Sequence, residues 1–208
     1  MADTTTHHRR HGGPANLYDS LPPWDIGRPQ PAFLRLARDG AITGRVLDAG
    51  CGTGEHTLMA AGLGLNATGI DLSATALHIA DRKARDRGLT ARFLRHDARD
   101  MAALGESFGT VLDCGLFHVL GGADRDAYLA SLRHVLPPDG RYFMLGISDQ
   151  EAREQGPVHK LTRIGIRDAF ASGWHVDSIQ PSTIDITTGP CGVRAGCRDP
   201  GVNATREN

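Results

Sequence analysis

The chain has 208 residues, enough for one domain with a substantial core and too few for two full ones. Hydrophobic residues at 40% and charged ones at 23% suit a soluble globular enzyme, and a formal net charge of −1 argues against nucleic acid or an anionic membrane as partner. No apolar run approaches a membrane span, the polar N-terminus lacks a signal-peptide core, and Cys51, Cys114, Cys191 and Cys197 form no CxxC pair; reduced thiols in a cytoplasm are expected, without disulfides or a metal site.

Residues 1–16 are polar, with His7, His8, Arg9, Arg10 and His11 clustered, and read as a disordered arm. A single domain is expected over 17–188, opening with a proline-rich segment over 17–40 that carries Tyr18 and Trp24. Pro31 can open a helix over Ala32–Arg38, with Gly40 as its stop. From there strands and helices alternate. Strands are expected at Arg45–Ala49, Ala67–Asp71, Ala91–Arg95, Thr110–Cys114 and Gly140–Ile147, and helices at Glu55–Leu63, Ser73–Arg87 and Asp124–Leu136. That alternation implies right-handed crossovers and a mostly parallel sheet, an α/β architecture. A polar stretch, Ser148–Lys160, leads to a short helix at Ile166–Ala171. Trp174–Ile179 and Thr183–Thr188, parted by Gln180-Pro181-Ser182, are expected to form an antiparallel pair at the sheet edge. Residues 189–208 are rich in Gly, Pro and polar side chains and are expected to be irregular or disordered.

The run Val46-Leu47-Asp48-Ala49-Gly50-Cys51-Gly52-Thr53-Gly54 carries the chemistry. Glycine at every second position lets a backbone turn tightly beneath a ligand, and the helix that follows aims free amides into the same crevice. A dinucleotide site wants GxGxxG, which is absent, and Asp48 would repel a pyrophosphate. A cationic ligand with an ammonium and a sulfonium, S-adenosylmethionine, suits that carboxylate. Asp71 ends the second strand, where it can accept from both ribose hydroxyls. Asp97 follows the third strand, placed either to accept from an adenine amino group or to cap a helix.

With these residues in place, the chain resembles the class I S-adenosylmethionine-dependent methyltransferases over roughly 20–188, through VLDAGCGTG, GIDLS, RHDAR, VLDCGLFHVL and LRHVLPPDGRYFML. The resemblance implies a Rossmann-like, seven-stranded sheet in the order 3-2-1-4-5-7-6, one strand antiparallel, flanked by helices. It also implies that Asp48, Gly50, Cys51, Gly52, Gly54, Asp71, Leu72, Asp97, Ala98 and Cys114 border the cofactor.

Methyl transfer from a sulfonium is an in-line displacement that needs a positioned acceptor, exclusion of water and, for some acceptors, a base. The catalytic group belongs beyond the fourth strand, in Asp113-Cys114-Gly115-Leu116-Phe117-His118-Val119-Leu120. The Asn/Asp-Pro-Pro-Tyr/Phe signature for exocyclic amines is missing there. His118 is the candidate general base, although an acceptor that is already anionic needs none.

WDIGRPQPAF with LDAGCGTGEH and DCGLFH is similar to the mycobacterial heterocyclic toxin methyltransferases, within a branch that includes thiopurine, thiol and tellurite methyltransferases. That similarity implies O-methylation of hydroxyquinolone-type toxins, with Trp24 and Ile26 capping cofactor and substrate and with Tyr18, Phe117 and His118 on the substrate wall. Members of the family usually close with an amphipathic helix after the last strand, bearing a Trp-Leu pair. Here Gly196-Cys197-Arg198-Asp199-Pro200 stands instead, through which no helix continues. Alternatives to O-methylation are a thiol or thiopurine S-methyltransferase and a non-catalytic binding module on the same fold. A nicotinamide-dependent oxidoreductase would need the absent GxGxxG. Nothing in the sequence fixes the oligomeric state.

Overall fold

Short apolar runs closed by a glycine or an acid give five strands: β1 (Val46–Ala49), β2 (Ala67–Asp71), β3 (Arg92–Arg95), β4 (Thr110–Cys114) and β5 (Arg141–Leu145). Between and beside them lie α1 (Pro31–Arg38), α2 (Glu55–Gly62), α3 (Ala74–Asp86) and α4 (Gly122–Val135). After β5 come α5 (Arg163–Ala169), β6 (Trp174–Thr188) and β7 (Val193–Arg206). The computed structural model describes residues 18, 22–152, 158–188 and 193–207. The arm over 1–16 lies outside them.

The strands form one sheet in the order β3-β2-β1-β4-β5-β7-β6. All neighbours through β5 are parallel, and β7 runs antiparallel to both β5 and β6. This is the topology that the family resemblance implied. Strand alternation divides the core between two faces. Val46, Leu112, Phe143 and Leu145 pack beneath α1 and α2 with Phe33 and Ala60, whereas Leu47, Ala49, Val111, Tyr142 and Met144 pack against α4 and α5 with Leu132 and Phe170. Helix boundaries follow local chemistry. Pro31 sits at the start of α1, and the Ser73 hydroxyl caps α3 by accepting from the Ala76 amide at 3.2 Å.

Two expectations fail at the C-terminal end. Gln180-Pro181-Ser182 is no turn: β6 runs unbroken from Trp174 to Thr188. Residues 193–206, expected to be irregular, are β7, and the segment where relatives were expected to carry a helix is strand as well. The physical reason is position. Over 201–205 β7 is inserted between β5 and β6, so neighbours on both sides satisfy its backbone, and Val202 and Ala204 are fully buried; residues 193–200 pair with β6. Pro181 and Pro200 face each other in the ladder, at a level beyond the 201–205 stretch that pairs with β5. No third strand is deprived of a donor there.

Candidate active site

The glycine loop between β1 and α2 takes its shape from positive φ angles at Gly50, Gly52 and Gly54. A Cβ on Gly54 would lie 2.8 Å from Ala80 and 2.9 Å from Phe93, so this glycine lets α2 start close against α3 and β3. A Cβ on Gly52 would meet the Tyr18 hydroxyl at 2.6 Å. The aromatic residue from the N-terminal segment therefore lies directly over the loop.

Asp71, at the tip of β2, closes the loop from the side. Its Oδ2 accepts from the Gly52 amide at 2.9 Å and its Oδ1 from the Ser73 amide at 2.8 Å. A carboxylate has about four lone-pair positions, so two amides leave room for hydroxyl donors. Asp48, expected near the cationic end of the cofactor, lies buried within β1. It is 1% exposed, and its Oδ2 accepts from the Thr57 amide at 2.9 Å and the Thr57 hydroxyl at 2.7 Å. Burial pushes its pKa up to about 7, the Thr57 bonds oppose that rise, and the charges of Asp113 and Asp71 add to it. Asp48 acts on the crevice from beneath the loop.

Asp97 caps the helical turn at Ala98–Leu104 through the Arg99 amide at 2.9 Å. The Arg99 guanidinium holds the same carboxylate and reaches Asp124 at 2.6 Å, so the hydrogen bonds from Arg99 keep Asp97 below the usual carboxylate range. The cap reading is realised, and adenine recognition would share the carboxylate with Arg99. Ala98 is buried beside it, and Leu72 is exposed next to Asp71. Cys51 is buried, with its thiol pushed well up by desolvation and the Asp48 charge, which keeps it protonated and inert. Cys114 ends β4, half-buried.

A strap over residues 22–30 crosses this end of the sheet. It is held at β6, where the Thr187 amide donates to the Pro23 carbonyl at 2.7 Å and the Gln30 side chain brackets the Asp185 backbone at 2.8 and 3.0 Å. Arg28 pairs with the Asp185 carboxylate. At α2 the Gln30 amide donates to His56 Nε2 at 3.1 Å, and burial holds that imidazole neutral with a pKa of about 4. Trp24 is 49% exposed on this strap, and Ile26 is half-buried. Burial, then the Asp71 charge, raises the Tyr18 pKa.

Beyond β4 the geometry is set by Asp113, which is fully buried. Its Oδ2 accepts from the Tyr128 and Tyr142 hydroxyls, both at 2.8 Å, and its Oδ1 from the Leu116 and Phe117 amides at 2.8 and 3.2 Å. This four-donor anchor fixes the turn that presents His118. The Ile147 amide donates to His118 Nδ1 at 3.2 Å, and burial lowers the imidazole pKa to about 4. A neutral imidazole that accepts at Nδ1 carries its hydrogen on Nε2. That nitrogen is then a donor, and a ring with Nδ1 filled and Nε2 protonated has no free lone pair for the general-base role expected of His118. Phe117 is also corrected. It is 1% exposed and packs on Phe170 and Tyr128 with the Arg125 guanidinium 4.8 Å over its ring, so it belongs to the core. Asp113, Asp25, Thr53 and Lys83 escaped the sequence reading. Asp113 alone carried a signal, as an acid inside the otherwise apolar end of a strand.

Among the described residues no group of three or more His, Cys, Asp or Glu side chains could hold a metal ion, and no helix is long and apolar enough to cross a membrane. The acid-lined glycine loop, with Asp48 beneath and Asp71 beside it, fits a cationic adenosyl compound.

Comparison with known proteins agrees. A family described as a methyltransferase domain matches residues 46–140. Over 167 residues the chain is 35% identical to a 2-heptyl-1-hydroxyquinolin-4(1H)-one methyltransferase of Mycobacteroides abscessus, spanning 78% of this chain and 73% of that protein. The chain belongs to the class I S-adenosylmethionine-dependent methyltransferases. This methyltransferase is also 27% identical over 179 residues to thiocyanate methyltransferase 1 of Brassica oleracea, covering 82% and 76% of the two chains. Among solved structures it superposes with a TM-score of 0.84 and 36% identity, over 93% of its own length and 91% of the other, on a protein studied for the conversion of a disulfide bond into a thioacetal group during echinomycin biosynthesis. TehB of Haemophilus influenzae shares the fold, with a TM-score of 0.68 at 15% identity over 85% and 62% of the chains.

Proposed function

We propose that this methyltransferase acts in the cytoplasm on a small, acidic aromatic heterocycle, methylating an oxygen of a hydroxyquinolone-type toxin and so detoxifying it. The observation that carries this reading is the donor tautomer of His118. With Nδ1 filled by Ile147 and the imidazole neutral, His118 offers the turn beyond β4 an N–H in place of a basic nitrogen. An acceptor that ionises by itself matches such a site, because a negatively charged oxygen both attracts the Nε2 hydrogen and needs no proton removed. The hydroxyquinolone named for the Mycobacteroides abscessus relative supports the same class.

In this reading S-adenosylmethionine, when bound, supplies an electrophilic methyl group whose carbon–sulfur bond breaks with its electrons returning to sulfur. Asp71 would accept from the ribose hydroxyls, Leu72, Asp97 and Ala98 would hold the adenine side, and the loop of Gly50, Cys51, Gly52 and Gly54 would hold the remainder, with Cys114 alongside. Asp48, with its pKa raised to about 7, would lend partial negative charge from below. Trp24, Ile26 and Tyr18 exclude water and offer aromatic faces to a planar acceptor. A thiolate acceptor is the second reading, supported by the thiocyanate methyltransferase relative and by the same N–H at His118.

The test is a comparison of S-adenosylhomocysteine release with 2-heptyl-1-hydroxyquinolin-4(1H)-one and with a small aromatic thiol. Faster turnover of the hydroxyquinolone is expected. Preference for the thiol by kcat/KM would transfer the assignment to S-methylation.

A further inference from the structure

Four elements converge on one ammonium group. Lys83 projects from α3, and its Nζ lies 2.7 Å from Thr53 Oγ1, 2.8 Å from Glu55 Oε1 and 3.8 Å from Asp25 Oδ1. Thr53 belongs to the glycine loop, Glu55 opens α2 and Asp25 sits on the strap. An ammonium only donates, and a hydroxyl has one hydrogen to give. With Lys83 donating to Thr53, the threonine hydrogen goes to Asp25 Oδ2 at 2.7 Å. The bonds therefore run in one direction, from α3 through the loop to the strap.

Burial makes this arrangement consequential. The side chains of Asp25 and Glu55 are 5% and 7% exposed, and that of Lys83 is 20% exposed. Glu55 has a second cation, since Arg87 grips both its oxygens at 2.8 Å. Burial alone would raise the Glu55 pKa, and the bonds from Arg87 and Lys83 outweigh that effect and hold it low. For Asp25 the cation that the described residues supply is Lys83. Removing it leaves a buried carboxylate held by a hydroxyl and the Gly27 amide at 3.2 Å, which favours release of the strap toward water.

We propose that Lys83 is a positioning residue that clamps the strap onto the glycine loop, so that the loop beneath the cofactor and the cover above it are set together. The clamp is a property of the free protein; its effect on cofactor affinity rests on the methyltransferase assignment.

Hydrogen exchange read by mass spectrometry on the full chain tests it, alongside calorimetric titration with S-adenosylhomocysteine. In Lys83→Met the amides of residues 22–30 are expected to exchange faster while those of β1 and β4 keep their rates, and the Kd is expected to rise about tenfold, the loss of one charged hydrogen bond. Lys83→Arg is expected to restore much of both. Combining Asp25→Asn with Lys83→Met should be no worse than Lys83→Met alone, because the two act as one unit. Unchanged strap exchange in Lys83→Met overturns the proposal, and so does acceleration of strap and sheet together with a matching fall in Tm. If the wild-type chain fails to bind S-adenosylhomocysteine while the strap is still released in the variant, the clamp stands and the cofactor assignment falls.

Discussion

Asp71 and His118 illustrate how a side chain's free valences decide its use. Asp71 engages two backbone amides and keeps acceptor capacity facing the crevice. Asp71→Ala is expected to weaken S-adenosylhomocysteine binding by roughly 1.5–3 kcal/mol, the range for hydrogen bonds to a charged group, measured by titration calorimetry. His118 has one ring nitrogen filled and the other protonated. His118→Ala should therefore lower kcat about 10²-fold, as for the loss of one donor to a charged oxygen, with cofactor affinity unchanged. His118→Asn, which keeps an N–H, should recover part of the loss. The kcat/KM profile should follow the acceptor's own ionisation and show no imidazole step near 6.5. The identity of these residues was legible in the sequence because glycine spacing and strand-end acids are local signals. Their chemical state was not. The tautomer of His118 depends on an amide 29 residues away, and the burial of Asp48 depends on Thr57 folding back over it.

At the level of elements, the parallel half of the sheet was readable because β1, β2, β4 and β5 are short, mostly buried runs followed by glycine or ended by an acid, and β2 and β4 fall on the residues expected. β7 was hidden because Val193-Arg194-Ala195-Gly196-Cys197-Arg198-Asp199-Pro200 has neither strand composition nor alternation; pairing with β6 makes that stretch a strand, and β5 joins only over 201–205. Ending the chain after Thr188 should therefore do more than remove a tail. β6 pairs with β7 and no other described strand, and Val202 and Ala204 fill the core beside Tyr142 and Trp174. The truncated chain is expected to lose its cooperative thermal transition in circular dichroism. The strap was foreseen as a proline-rich cover, but its anchors on β6 and α3 join residues far apart in sequence, beyond the reach of any local pattern.

Over the whole molecule, the buried ionisable groups set a pH response with opposing signs. Asp48 has its pKa raised from 3.8 to about 7, so the folded state binds the extra proton between those values. Its contribution to stability is complete below about pH 4 and is lost as pH rises toward 7, by at most about 1.4 kcal/mol per unit. His56 and His118 are lowered from 6.5 to about 4, so they cost stability as pH falls through that interval. In Asp48→Asn, urea unfolding at pH 5, 6 and 7 should show stability relative to wild type improving with each step, then levelling above pH 7. A constant difference across the series would mean that Asp48 is ionised throughout.

The strap's attachment to β6 also orders events during synthesis. Pro23 and Gln30 are made well before their partners Thr187 and Asp185, which lie on a strand held in place by β7, made later still. The cover over the glycine loop therefore cannot seat before both of these strands have formed. The mouth of the site is thus the last part of the crevice to close, and any lesion that loosens β6 or β7 is felt at the strap far away in sequence.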